Sequence, residues 1–138
     1  METIKEYKSF NENKSIEELE FNITEYVTSL ENFKFEIQFY RVLLDKPIFK
    51  PHVMNLYETL VKFKNEINNL NENSTDLLNE LNSHAHHIRN KIECDNVACD
   101  SFFINEHDAI QRKVFNFKIK IFNLKFRLFQ YIESVINN

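Results

Sequence analysis

Glycine is absent from this chain of 138 residues, and that absence removes whole classes of site and fold. Phosphate-cradling P-loops, G-x-G-x-x-G dinucleotide turns and G-x-S-x-G nucleophile elbows need backbone at positive φ or pressed against a ligand, which glycine alone adopts cheaply. Tight Asn-Gly hairpins are out of reach too, so an all-β fold is disfavoured. The 43% apolar and 28% charged content suits one globular domain over residues 1–138.

Apolar spacing then specifies helices. Ile16, Leu19, Ile23, Tyr26, Leu30, Phe33, Ile37, Tyr40 and Leu44 recur at alternating steps of three and four. That is an a/d stripe, the pattern that holds one helix face on a partner. Ser15 and Glu18 form a capping box in front of it. Pro47 and Pro51 end the helix, because each disfavours the α region in the residue before it, and Pro51 suits the first position of the next helix. A second seam runs Val53, Leu56, Leu60, Phe63, Ile67, Leu70, Ser74, Leu77, Leu81, His84, Ile88, and a third runs His107, Ile110, Val114, Phe117, Ile121, Leu124, Leu128, Tyr131, Val135.

These seams predict an all-α, elongated, antiparallel three-helix bundle with helices over about 15–45, 51–93 and 103–136. The polar run Asn71 to Asp76 is the weak point. Composition makes it a loop, with Ser74 or Thr75 capping a new helix, and gives a four-helix up-down bundle as the alternative. Register opposes the break, since the alternation passes through Ser74 without slipping. One helix of about 42 residues, about 63 Å long, also matches its neighbours better than two short ones.

Charge follows the same layout. The first helix is rich in Glu, whereas the third carries Lys118 and Lys125 at e positions and Lys113, Lys120 and Arg127 at g positions. An acidic helix against a basic one is expected. A basic, Phe-rich helix is also the pattern of a membrane-surface or calmodulin-target segment. The net charge of −4 argues against nucleic acid as partner. No apolar run reaches the roughly 18 residues that span a bilayer. With no apolar signal-type stretch in Met1 to Asn13, the expectation is a cytoplasmic protein with reduced thiols.

The third helix has more apolar residues than one seam can bury. Phe115, Ile119, Phe122, Phe126, Phe129 and Ile136 occupy b and f positions, and Phe21, Phe35 and Val42 form a smaller stripe on the first helix. Such a patch marks an interface, and the expected occupant is a second copy related by a two-fold axis.

Residues with chemistry gather at the second connection: His84, His86, His87, Cys94, Cys99, Glu106, His107 and Asp108. Folding the chain back near residue 97 sets His107 near Ile88 and His84 near Gln111. His84, His87 and His107 with Glu80, Glu106 or a cysteine suit Zn²⁺ or iron by ligand type. Their spacing fits neither the Glu-x-x-His pairs of di-iron bundles nor a familiar zinc pattern, and a structural polar layer is the competing interpretation. Cys94 and Cys99 read as loop thiols, as a local disulfide, or as a redox pair. No acid/base pair or activated nucleophile stands out, so no catalytic residue and no enzyme activity are expected.

The stretches NELNSHAHHI (Asn79 to Ile88) and NEHDAI (Asn105 to Ile110), with the Phe-rich helix ending FRLFQYIESV, resemble a group of small all-helical bacterial proteins without an assigned function. The resemblance implies three long helices with histidines about the second turn, and it implies no site residue. The resulting expectation is a non-enzymatic structural or protein–protein interaction protein that self-associates through its Phe-rich face. A small metal-binding helical protein is the alternative.

Overall fold

A computed structural model describes residues 9–90 and 97–137; side chains at 97–100 are not described. Three helices account for most of it: α1 (Ile16–Leu44), α2 (Leu56–Arg89) and α3 (Val97–Val135). At 1.5 Å per residue they are about 44, 51 and 59 Å long. The capping box is in place, with the Glu18 N–H donating to Ser15 Oγ at 3.2 Å and the Ser15 N–H donating to Glu18 Oε1 at 3.3 Å.

The helices pack as a three-helix bundle. Arg41 reaches Asn68 and Lys34 reaches Asn71 and Thr75, so α1 and α2 run antiparallel. Phe63 against Tyr131 and His84 against His107 make α2 and α3 antiparallel as well. Helices α1 and α3 are therefore parallel, and they touch through an edge-on Phe33–Phe117 contact with ring centroids 5.6 Å apart. The seam residues fill the core, with Ile16, Tyr26 and Tyr131 half-buried at its edge. Ile132 takes an inner place beside Tyr131 in the last turn of α3.

Helix α2 is unbroken through the polar run. Ser74 is buried in the seam, and its hydroxyl donates to the Asn71 carbonyl at 2.7 Å; Thr75 donates to the same carbonyl at 3.1 Å. Hydroxyls that bond back to the preceding turn satisfy themselves without leaving the helix. The four-helix alternative does not occur.

The start of α2 departs from expectation. Pro51 is not its first residue: the helix begins five residues later, at Leu56, and Val53 lies outside it. The reason is the corner itself. His52 and Asn55 adopt φ of 63° and 57°, in the left-handed region, which a helix started at Pro51 would not allow. In a chain without glycine, asparagine and histidine are among the residues that tolerate this conformation best. Asn55→Ala is expected to cost about 1 kcal/mol and Asn55→Gly to cost nothing. Thermal melts of the two variants check this, and equal effects would refute it.

The corner is tied to the far end of the chain. The Lys50 N–H donates to the Val135 carbonyl at 2.8 Å and the Asn137 N–H to the Ile48 carbonyl at 2.7 Å, flanking an isolated antiparallel bridge between Phe49 and Ile136. Ile136 thus packs half-buried against the core and is not part of an exposed stripe. At the other connection α3 starts at Val97, earlier than expected. Helix α2 is described to Arg89, so the expected end near residue 93 lies outside the described residues. Cys94 lies there too, as does the side chain of Cys99.

The cations of α3 serve both neighbours. Lys125 pairs with Glu36 on α1 at 2.9 Å, but Lys113 pairs with Glu80 and Arg127 with Glu66, both on α2, at 2.8 and 3.0 Å. The e positions face α1 and the g positions face α2, so an acidic α1 against a basic α3 describes only part of the pattern. Exposed pairs of this kind contribute about 0–1 kcal/mol each and select register more than they stabilise.

Candidate functional site

Two features stand out: a polar layer inside the bundle and an aromatic stripe outside it. The seams of α2 and α3 each place one histidine at an inward position, and the antiparallel packing brings the two rings together. His84 and His107 are both 0% exposed. His84 Nε2 lies 2.9 Å from His107 Nδ1. They meet directly, about one turn closer than folding the chain at residue 97 predicts.

Their surroundings favour one placement of the protons. Glu106 Oε1 lies 3.2 Å from His84 Nδ1, within hydrogen-bond distance but poorly aligned for one. A carboxylate so near favours a proton on Nδ1, which leaves Nε2 of His84 as an acceptor. His107 must then donate from Nδ1 and accept at Nε2, where the Asn22 side-chain amide approaches at 3.4 Å. Asn22 thus donates to His107 and His107 to His84, whose Nδ1 faces the Glu106 carboxylate. Glu106 also contacts His87 Nδ1 at 2.9 Å, at the surface.

Both buried rings are held neutral. Burial is the main cause that lowers the His84 pKa, partly offset by Glu106. Burial again leads for His107, with His84 and Lys14 adding to it, and its pKa drops to about 4.

A clasp closes this layer from the N-terminal side. The segment ahead of α1 lays Asn11 against α3, where its amide donates to Asp108 Oδ1 at 2.6 Å and to Gln111 Oε1 at 2.9 Å. Ser9 Oγ donates to the same Asp108 oxygen at 3.0 Å. Asn11 is fully buried, and its Oδ1 has no partner. Sequence patterning does not find Asn11 or Asn22. The first lies outside any helical period, and the second occupies an ordinary flanking position.

The expected metal set is only partly assembled. His84 and His87 meet at Glu106 and His107 meets His84, but Glu80 lies apart in its ion pair with Lys113. The facing nitrogens of His84 and His107 are committed to each other. Among the described residues no group of three or more His, Cys, Asp or Glu is placed to hold a metal ion. What this layer can do chemically is hold register, since a buried hydrogen-bonded pair can be completed in one alignment of α2 on α3.

The outer stripe stands as the sequence predicts, apart from Ile136. Phe115, Ile119, Phe122, Phe126 and Phe129 are between 44% and 66% exposed. Phe122 and Phe126 stack with centroids 6.4 Å apart, and Phe129 packs edge-on against Tyr40 of α1. Tyr40 in turn contacts Phe39, which sits beside the exposed Phe35 and Val42 on α1. The rings of α1 and α3 thus approach one another about Tyr40, while the Lys125–Glu36 pair lies in the groove between the two helices. Among the described residues no helix is long and apolar enough to cross a membrane.

No protein-family model matches this chain, and no curated protein or solved structure matches it either.

Proposed function

We propose that this is a non-enzymatic structural or protein–protein interaction protein of the cytoplasm, which self-associates through the aromatic face of α3. The observation that carries this reading is the size of the apolar face. Phe35, Phe39, Phe115, Ile119, Phe122, Phe126 and Phe129 are each between 44% and 76% exposed. At about 200 Å² per side chain they present on the order of 800 Å². Summed over the two helices, that is of the order one partner contributes to a standard interface.

A second copy is favoured over an anionic membrane. Three of the cations on α3, Lys113, Lys125 and Arg127, are already paired within the chain, which leaves little positive charge to draw the stripe to lipid.

Sedimentation velocity at micromolar concentrations tests the reading: the protein is expected to sediment as a dimer. Phe122→Asp should weaken association at least about 100-fold, because the two-fold axis counts each lost ring twice at about 1.5–3 kcal/mol. A strict monomer in this range would overturn the proposal.

A further inference from the structure

Resting on that self-association, we infer that the two copies lie parallel, with the two-fold axis along the bundle and the aromatic end of one on the aromatic end of the other. Two independent observations point this way. The first is how the rings are distributed along the axis. Phe35, Phe39 and Val42 of α1 are exposed, and they lie near the level of Phe129, as the Phe39–Tyr40–Phe129 contacts show. One helical stretch earlier, α1 exposes Glu25, Thr28, Glu31 and Asn32. The α1 side of the face is therefore apolar beside Phe129 and polar in the stretch between Phe21 and Phe35. An antiparallel pairing brings the α1 rings of each copy toward the carboxylate stretch of the other's α1, whereas a parallel pairing sets them opposite the neutral amide edge of the other's α3.

The second observation is the edges of the α3 stripe. At helical spacing, one edge carries the cation Lys118, with Lys125 paired to Glu36 beside it, and the other carries the neutral amides Asn116, Asn123 and Gln130. Face-to-face helices in antiparallel array bring the same edge of each together, which would set Lys118 beside the partner copy's cationic edge. In parallel array each cationic edge meets an amide edge, whose carbonyl oxygens accept from lysine. The opposing effect, parallel macrodipoles, is weak at an exposed, screened surface.

Cross-linking with a short bismaleimide decides it, on full-length protein with Cys94→Ser and Cys99→Ser. Phe115→Cys should link to itself across the dimer, and so should Phe129→Cys. A mixture of the two should give no hybrid product, because the positions stand about 21 Å apart along parallel helices. A hybrid 115–129 product in place of the self-links would overturn the orientation. A sedimenting dimer in which none of these cysteines link would also overturn it, while leaving self-association through another face. A monomer that floats with phosphatidylcholine–phosphatidylserine vesicles would remove both readings and give the stripe to a lipid surface.

Discussion

Lowering the pH from 6.5 to 4 is expected to remove about 3 kcal/mol of folding stability through His107 alone. The sign follows from the direction of the shift. The unfolded chain binds a proton at the ordinary value of 6.5, whereas the folded ring resists protonation down to about 4. Stability from this group is complete above the unfolded value, declines as the pH falls through it, and levels off near the folded value. His84 is shifted in the same direction and adds to the slope. The charged groups about the pair do not rescue it: Asp108 and Glu106 favour the protonated rings, but burial outweighs them, and Lys14 and His87 oppose protonation. Against a total of about 5–15 kcal/mol for a typical domain, the loss is large.

Denaturant titrations at fixed protein concentration over this range measure the effect. His107→Leu removes the titrating ring and should flatten its share of the slope. Ring signals in a magnetic-resonance titration give a second readout that needs no variant. A His107 that titrates near 6.5 in the folded protein would refute the account, as would equal slopes in the two proteins.

The parts of the structure legible in sequence are those governed by a single periodicity. Once the three-four alternation fixes the phase of α3, the exposure of Phe122 and the burial of Leu124 follow together, because both are set by rotation about one axis. The same logic carries Ser74 into the core in spite of its polar neighbours, and it turns His84 and His107 toward each other. What escapes is whatever depends on chain outside that phase. Pro51 fits a helix start on local grounds, but the route back to α2 needs left-handed corners at His52 and Asn55, a demand set by where the chain must go. Ile136 obeys the stripe's spacing, yet the bridge to Phe49 takes it out of the stripe. Asn11 belongs to no period, and only the docking of the leading segment on Asp108 gives it a role. The division of cations between α1 and α2 likewise depends on which neighbour each flank faces, and composition does not contain that.

Asn73→Pro is expected to cost at least about 3 kcal/mol, and it isolates the continuity of α2 from every other feature. Asn73 is exposed within the helix, so the change leaves the core side chains in place and acts on the backbone. The proline ring removes the N–H that bonds the carbonyl four residues earlier and clashes with that carbonyl. It also turns Glu72 away from the helical region. Asn73→Ala is the matched control. It keeps the ladder, and alanine's higher propensity should stabilise by up to about 0.7 kcal/mol. Were the run Asn71 to Asp76 a connection between two shorter helices, proline ahead of a Ser or Thr cap would be well tolerated and the two variants would unfold almost alike. A difference under about 1 kcal/mol in denaturant unfolding would therefore mean that the backbone bends here at little cost. The burial of Ser74 predicts otherwise. Its hydroxyl is satisfied only by the turn that begins at Asn71, and a bend there would strand a polar group in the seam while pulling Leu70 and Leu77 out of line with α1 and α3.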